Sequence, residues 1–401
     1  MTAVRESSAH VAIACGGTGG HLFPGLAVAE QLLARGCSVR VLISPKEVDQ
    51  QGVKSARGVE VITLPSVALQ GGKRLAFVWG FLQSWRASRK LFRTRRPDAV
   101  LAMGGFTAAP PVLAARSLRV RTFLHESNTI PGRANRWLAR VVDQAFVGFP
   151  QAESRLAARQ VSVTGTPVRP EFQTREAAEC RAALGLDPAR PVLLVMGGSQ
   201  GASGVNDLIL GALPMLARHA LKWQWLHLTG SLDAARVKQA YARLDLKAVV
   251  HPFWSQMDLA LGAATACVSR AGASSLAELA AVQLPTLLVP FPAAADNHQW
   301  HNARAFEESG AAQLLDQSAA SPEKVSRLLC ALVEDAAERS RMRAALAGWH
   351  APKAAEQIAE RILRSVIQGA EVPEAVTPTG KSNGRPTPAT KRTPVESSTL
   401  A

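Results

Sequence analysis

Apolar and polar positions alternate along this chain in blocks rather than residue by residue, and two of the blocks end alike. Ala12-Ile13-Ala14-Cys15 runs into Gly16-Gly17-Thr18-Gly19-Gly20-His21, with a helical pattern behind it from Pro24 to Leu33; Val192-Leu193-Leu194-Val195-Met196 runs into Gly197-Gly198-Ser199-Gln200-Gly201-Ala202, with a helical pattern from Asn206 to Leu216. Short continuous apolar runs bounded by glycine read as strands buried on both faces, the pattern of a parallel sheet covered by helices. Further runs fit the same scheme: Ser38–Ile43, Val59–Leu64, Ala99–Met103, Thr122–Leu124 and Val161–Val163, then Val249–Trp254, Ala266–Ser269 and Thr286–Pro290, with a closing helix from Ala351 to Ile367. The two glycine loops stand about 180 residues apart, near the usual size of one domain, so the pattern predicts two α/β domains. Gly165-Thr166-Pro167-Val168-Arg169-Pro170 is a proline-stiffened crossing and places the boundary at residues 167 and 168. Beyond about Gly369 the chain is Pro, Thr, Ser and Lys with almost no apolar bulk, so 369–401 reads as a disordered tail.

Charge changes the picture by where it lies. Residues 1–167 carry 22 Lys and Arg against 9 Asp and Glu, whereas 168–369 carry 20 against 19. A basic first half beside a neutral second one suits an anionic partner for the first half only. From Val61 to Pro97 there is no acidic residue, yet Lys73, Arg74, Arg86, Arg89, Lys90, Arg93, Arg95 and Arg96 all fall there. In the same segment Leu75, Val78, Trp79, Leu82 and Trp85 recur at helical spacing, with Phe77 and Phe81 beside them. A core-facing stripe is the plain alternative. Aromatic and aliphatic residues with cations as their only charged neighbours suit a helix resting among lipid headgroups better, and an anionic membrane surface is the expected partner. Nucleic acid is not, because no recognisable nucleic-acid module is present and an apolar stripe has no task on a phosphate backbone.

The five cysteines, Cys15, Cys37, Cys180, Cys267 and Cys330, show no metal-ligand spacing and read as free thiols in a reducing compartment. Met1–Ala9 has no apolar leader region, and no apolar stretch approaches the ~20 residues of a spanning helix, so the expectation is a cytoplasmic protein, neither secreted nor transmembrane.

The chemistry gathers where strands end. Glycine loops that lead into helices leave backbone N–H groups pointing outward, a socket for something anionic; an ordinary tight turn is the alternative at each loop taken singly. Ligands in open parallel sheets sit beyond the strands' carboxyl ends, so Thr18, His21, Gly104-Gly105-Phe106 and His125-Glu126-Ser127-Asn128 are expected around one crevice. In the second half Arg270-Ala271-Gly272 leads into Ala273-Ser274-Ser275-Leu276-Ala277-Glu278, a helix start whose small residues leave its amides open to phosphate oxygens. Glu278, one turn in, is placed to accept from a vicinal diol such as ribose, or to compensate the helix dipole. Asp296-Asn297-His298-Gln299-Trp300-His301-Asn302 opens a further helix with a polar cluster.

Taken in order, Gly16–His21 with Pro24-Gly25, Gly104–Phe106, His125–Asn128, Gly165–Arg169, Gly197–Ala202, Arg270–Ala273 with Glu278, and Asp296–Gln299 resemble the MurG family of peptidoglycan N-acetylglucosaminyltransferases over roughly residues 10–365. The resemblance implies a GT-B fold: an N-terminal Rossmann-like domain that meets acceptor and membrane (1–167), a C-terminal Rossmann-like domain that binds UDP-GlcNAc (168–345), and a last helix (346–368) packing back on the first domain. It implies an inverting transfer of N-acetylglucosamine from UDP-GlcNAc to lipid I, undecaprenyl-pyrophosphoryl-MurNAc-pentapeptide, giving lipid II at the cytoplasmic face of the inner membrane, with cell-wall synthesis proteins as further partners. Arg169, Ser199, Trp254, Ala273 to Glu278 and Gln299 would hold the donor, and Thr18, Gly19, Gly20 and Asn128 would meet sugar and acceptor. Such a transfer needs a base, for which His21 is the first candidate and Glu126 the second, and positive charge for the leaving diphosphate. No DxD pair occurs, so helix N-termini and arginine rather than a protein-held metal are expected to carry that charge, and no cofactor is expected. Ser127, Ala271 and Phe106 depart from the residues usual in the family. Another UDP-sugar lipid transferase, a UDP-GlcNAc epimerase and a sugar-nucleotide sensor are the competing readings.

Overall fold

The computed structural model describes residues 9–65, 74–198 and 201–370. Its first half runs β1 (His10–Ala14), α1 (Gly19–Leu33), β2 (Ser38–Ile43), α2 (Glu47–Gly52), β3 (Glu60–Thr63), α3 (Arg74–Thr94), β4 (Ala99–Ala102), α4 (Ala109–Ser117), β5 (Arg121–Glu126), α5 (Arg133–Ala139), β6 (Gln144–Val147) and β7 (Val161–Val163). The second runs α6 (Ala177–Ala183), β8 (Val192–Met196), α7 (Ser203–Ala220), β9 (Gln224–Leu228), α8 (Ala234–Arg243), β10 (Ala248–His251), α9 (Met257–Ala263), β11 (Ala266–Ser269), α10 (Ala273–Ala281), β12 (Thr286–Leu288), α11 (His298–Glu308), β13 (Gln313–Leu314), α12 (Pro322–Glu334), α13 (Ala336–Trp349) and α14 (Ala354–Ala370).

Two parallel sheets result, in the orders β3-β2-β1-β4-β5-β6-β7 and β10-β9-β8-β11-β12-β13. Every residue of β1 and of β8 is buried, as expected of central strands covered on both faces. Ile13 lies between Val41 and Leu101, and Val195 between His227 and Val268. The strand order reverses direction between β1 and β4 in one sheet and between β8 and β11 in the other. These are the switch points where loops part and open a crevice. Both glycine loops and the two segments Gly104–Phe106 and Arg270–Gly272 leave their strands there.

The halves are fastened to each other at the back. Phe149, after β6, meets Phe306 of α11 and Trp349 of α13 at 6.1 and 5.3 Å between ring centres, and the last two stack at 4.5 Å. The chain then returns: Ala355, Ile358, Ala359 and Ile362 of α14 are buried in the core of the first sheet with Val28 and Leu32 of α1. Arg35 reaches Glu356 at 3.0 Å beside this seam.

Three local features differ from the sequence pattern. α1 starts at Gly19, five residues before Pro24, which sits inside it; a proline there forgoes only the hydrogen bond its N–H would give to the Gly20 carbonyl. α11 starts at His298 rather than Asp296 because Asp296 (φ 50°) and Asn297 (φ 52°) are left-handed. In α3 the buried side is Ser84, Ser88 and Phe92 with Phe81 partly covered, whereas Leu75, Val78, Trp79 and Leu82 are exposed. Four of the five stripe residues counted along the sequence face outward, and Trp85 packs partly against the core. Among the described residues no helix is long and apolar enough to cross a membrane. The tail from Glu371 lies outside them.

Ile362 is fully buried in a core shared by elements more than 300 residues apart in sequence. Ile362→Ala should cost about 2–5 kcal/mol, read as a lower denaturant midpoint; an unchanged midpoint would mean that α14 does not hold the first domain.

Candidate functional site

The two sheets meet where their glycine-bearing edges face each other. Thr18, extended at φ −156°, precedes α1 without capping it through its side chain, and Gly272 likewise precedes α10 without a side-chain cap. The first-turn N–H groups of each helix therefore keep their positive ends open. The two ends touch, and Ser274 Oγ of α10 donates to the Gly20 carbonyl of α1 at 2.9 Å. That carbonyl is free because Pro24 has no N–H to give it. Two like-signed helix ends held side by side favour an anion between them.

The first loop is tied down by residues with no glycine signature. Asp49, completely buried, accepts from Gly17 N at 2.6 Å and Ser44 N at 3.2 Å and also from the Ser44 hydroxyl; Lys46 Nζ donates to Gly17 O at 3.0 Å, and the Thr107 hydroxyl to Gly16 O. Asp49 gave no signal in the sequence, being one acidic residue in an exposed-looking turn after a strand.

His21 lies against the Gly104–Gly105 turn. A Cβ on Gly104 (φ 116°) would stand 3.1 Å from the ring's Cε1 and one on Gly105 (φ 78°) 3.7 Å from Nε2, so the imidazole occupies space that only glycines leave. Its Nδ1 is buried without a partner, and burial lowers its pKa from 6.5 to about 4, with Asp49 pulling upward and Lys46 downward. The ring is neutral at pH 7.

His125 does not share the crevice as expected. It is wholly buried in β5, with Nε2 3.1 Å from the Gly165 carbonyl and Nδ1 3.2 Å from the Ser127 hydroxyl. Because a carbonyl can only accept, Nε2 carries the proton and Nδ1 accepts from Ser127. Burial again lowers its pKa to about 4. Glu126, the second candidate for base, is also buried, and its two oxygens take four donors: Asn128 N (2.8 Å) and Nδ2 (3.0 Å) on one, Gly132 N (3.0 Å) and Asn135 Nδ2 (2.7 Å) on the other. A carboxylate so engaged shapes the 126–135 loop and has no oxygen left facing a substrate.

That loop meets the other half through Asn302 of α11, which is fully buried. Its Oδ1 accepts from Thr129 N at 3.0 Å and Oγ1 at 2.9 Å, while Nδ2 donates to Asn128 Oδ1 at 3.0 Å and Ala271 O at 3.1 Å. All four bonding positions of the amide are used. Arg136 adds an ion pair to Asp296 at 2.6 Å on the surface beside it. Asn302 stood within the polar cluster visible in the sequence, but nothing there marked it as the residue that joins the halves.

The expected donor residues are distributed around the same gap. Arg169 lies over Phe23 of α1 at 4.6 Å and over Phe172 at 5.0 Å, pairs with Glu171 at 2.9 Å, and has a buried Nε without a partner. Beside it Glu278 is half-buried; burial raises its pKa to about 7 against the pull of Arg169. Ala273 and Leu276 are buried, and Ser275 and Ala277 partly so. Gln299 Oε1 accepts from Phe291 N at 3.0 Å. Trp254 packs on His251 at 4.5 Å and donates to Gln256 O at 3.1 Å, farther out on the second sheet's edge. Arg270 is turned inward to the carbonyls of Val289 and Pro290, both at 3.0 Å. Ser199 and Lys73 lie outside the described residues.

On the outer face of the first domain Leu75 (88% exposed), Val78, Trp79 (59%) and Leu82 of α3 stand free, with Phe106 nearby and packed edge-on against Phe77 at 5.7 Å. Trp85, Arg86, Arg89, Lys90 and Arg93 line an open groove along the same helix, with Arg89 over Trp85 at 5.6 Å.

Residues 11–147 match the model of the glycosyltransferase family 28 N-terminal domain, and 192–361 that of the family's C-terminal domain. A UDP-N-acetylglucosamine--N-acetylmuramyl-(pentapeptide) pyrophosphoryl-undecaprenol N-acetylglucosamine transferase of Anaeromyxobacter dehalogenans is 36% identical over 94% of this chain and 99% of its own. One of the same description from Geobacter sp. is 37% identical over 82% and 89%. Among solved structures, MurG of Acinetobacter baumannii is 27% identical with a TM-score of 0.69, covering 89% of this chain and 99% of that one. A UDP-N-acetylglucosamine 2-epimerase, 15% identical at a TM-score of 0.66 over 92% of this chain and all of that one, shares the fold.

The imidazoles of His21 and His125 leave a trace in stability. The unfolded chain binds their protons from about pH 6.5 downward, while the folded chain does so only near pH 4. Their contribution is therefore complete above pH 6.5 and is lost as the pH falls towards 4. Glu278, raised to about 7, works in the opposite sense over that range, while His227, lowered to about 3 by burial, adds to the sense of the two imidazoles. The denaturant midpoint should be level between pH 7 and 8 and fall steadily from 6.5 to 4.5; a flat or rising profile would contradict neutral buried rings.

Proposed function

The chain belongs to glycosyltransferase family 28 by both its halves, and from that premise we propose that it transfers N-acetylglucosamine from UDP-GlcNAc to the muramyl sugar of undecaprenyl-pyrophosphoryl-MurNAc-pentapeptide, with inversion. The observation that carries this reading is the pair of open helix N-termini joined by Gly20 and Ser274 across the gap between two nucleotide-fold sheets. Relatives covering nearly the whole chain supply the substrate names.

In this reading the acceptor's 4-hydroxyl oxygen attacks the anomeric carbon, the bond from that carbon to the β-phosphate oxygen breaks, and UDP leaves with the electron pair. The amides at the start of α10 (Ala273, Ser274, Ser275) and of α1 (Gly19, Gly20), with Arg169 alongside, take up the charge that grows on the diphosphate. Glu278 accepts from the ribose diol, Gln299 and Asn128 contact the donor sugar, the backbone near Trp254 holds the base, and Thr18 faces the acceptor.

His21 takes the acceptor's proton. A neutral imidazole is the form that can do so, and although a pKa of about 4 makes it a weak base in the free protein, a diphosphate beside it would raise that value. Glu126 acts at one remove by shaping the loop that carries Asn128. The α3 face rests on the cytoplasmic side of the plasma membrane, its apolar residues among the lipids and its arginines at anionic headgroups, each worth about 1 kcal/mol there.

The test is a purified-protein assay with radiolabelled UDP-GlcNAc and a lipid I analogue. Product should form only when acceptor is supplied; sugar-nucleotide turnover without it would indicate an epimerase, and equal use of diacylglycerol a different lipid transferase. His21→Ala should lower kcat by about 10²–10⁴-fold, as loss of a general base does, and Glu278→Ala should mainly raise the donor KM. If His21→Ala keeps full kcat, the base is elsewhere. Separately, Leu75→Glu/Trp79→Glu should reduce sedimentation with vesicles containing anionic lipid at least tenfold, and unchanged sedimentation would remove α3 from the membrane contact.

A further inference from the structure

Behind the second glycine loop lies a closed chain of buried polar groups that the transfer does not touch. His227, in the middle of β9, is fully buried, with Nδ1 3.0 Å from the Tyr241 hydroxyl of α8 and Nε2 2.9 Å from Asn206 Oδ1 of α7. Asn206 in turn gives both protons of its amide away, to Thr229 O at 3.0 Å and to Asp233 Oδ2 at 2.8 Å. Asp233 also accepts from Ser203, the first residue of α7, and from Arg236 at 2.9 Å. The protons can be assigned without ambiguity. Because Asn206 Nδ2 donates twice, its Oδ1 must accept, so His227 carries its proton on Nε2; its Nδ1 is then an acceptor and Tyr241 the donor. Tyr241 is itself fully buried and remains protonated, since burial pushes its pKa far upward.

The chain ends on the loop. Gly201 (φ 76°), where the second glycine loop re-enters the described residues, is pressed against the Thr229 carbonyl and Gly230: a Cβ there would stand 2.5 Å from Thr229 O and 2.6 Å from the Cα of Gly230. Thr229 O is the atom that Asn206 holds, and Gly201 N donates back to Gly198 O at 3.0 Å. The loop's downstream end thus rests on a turn whose position is fixed by the amide that His227 orients.

We propose that His227, locked in its Nε2-protonated form by Tyr241, is a positioning residue for donor binding: through Asn206, in the first turn of α7, it sets the Thr229–Gly230 turn on which Gly201 rests, and so the aim of the α7 N-terminus, behind the second glycine loop, at a nucleotide diphosphate. This rests on the reading of that loop as part of the donor site. An apolar ring of the same size would fill the space but leave the Asn206 amide free to rotate, and a buried amide that has lost one of its partners finds another orientation. A role confined to stability would instead reduce the fraction of folded protein and leave the KM of each substrate untouched.

The experiment uses the full chain with UDP-GlcNAc and a lipid I analogue, measuring kcat and both KM values, together with UDP affinity by calorimetry. His227→Gln retains an N–H near the Nε2 position and should keep the donor KM within about threefold. His227→Leu should raise the donor KM and the UDP dissociation constant together by about tenfold while the acceptor KM stays within twofold. If His227→Leu yields no folded protein, Tyr241→Phe, which removes only the hydroxyl that fixes the tautomer, should raise the donor KM about threefold. A folded His227→Leu or Tyr241→Phe protein with unaltered donor KM and UDP affinity overturns the proposal. Failure of the unsubstituted protein to bind UDP at all would overturn the donor-site reading beneath it.

Discussion

A carbonyl without an internal partner brings together two helix ends, one from each half of this protein. Pro24 inside α1 leaves the Gly20 oxygen unbonded within the helix, and Ser274, in the first turn of a helix from the other sheet, donates to it. A helix end of ordinary sequence would have satisfied that oxygen itself and offered nothing to a neighbour. Because both partners lie in first turns, the bond sets two helix N-termini against each other. Their dipoles repel unless negative charge lies between them, so this contact, one of several between the halves, also specifies the charge of what belongs in the gap.

The polar groups around that gap differ in how fully they are bonded. Those that are fully bonded build the scaffold: Glu126 with its four donors, Asn302 with all positions of its amide occupied, His125 between a carbonyl and a hydroxyl. Unmatched buried atoms remain on His21 and Arg169 at the crevice and also on Asp49 and Asn135 within the scaffold. Burying a polar atom without a partner costs free energy, and at the crevice a partner can arrive from outside. Keeping His21 neutral belongs to the same economy. Burial depresses its pKa, and the glycines at 104 and 105 make the space in which it is buried.

The alternation of strand and helix, the two glycine loops, the helix start at Gly272 and the basic apolar helix α3 were all legible along the chain, because each is a local pattern read from spacing within a few residues. His21 was legible as a candidate because it sits in such a pattern. The division of labour between His125, Glu126 and His21 was not, since all three are titratable residues at strand or loop ends and only packing distinguishes them. Asp49 and Asn302 were harder still: one holds the first glycine loop from 32 residues away, the other joins a loop and a helix 173 residues apart. Leu75, Val78, Trp79 and Leu82 of the α3 stripe stand exposed while Trp85 packs partly on the core, and that the core side would be Ser84, Ser88 and Phe92 with Phe81 became visible only against α4.

The sequence by itself determined the elements, their parallel pairing in two sheets and the places where backbone amides would be left open, because buried strands need unbroken apolar runs and tight turns need glycine. The tertiary structure alone decided which polar side chains are consumed in holding those loops and which remain unmatched. That depends on donors and acceptors brought together from distant parts of the chain, and hydrogen bonding over a few ångströms leaves no periodic mark on a sequence.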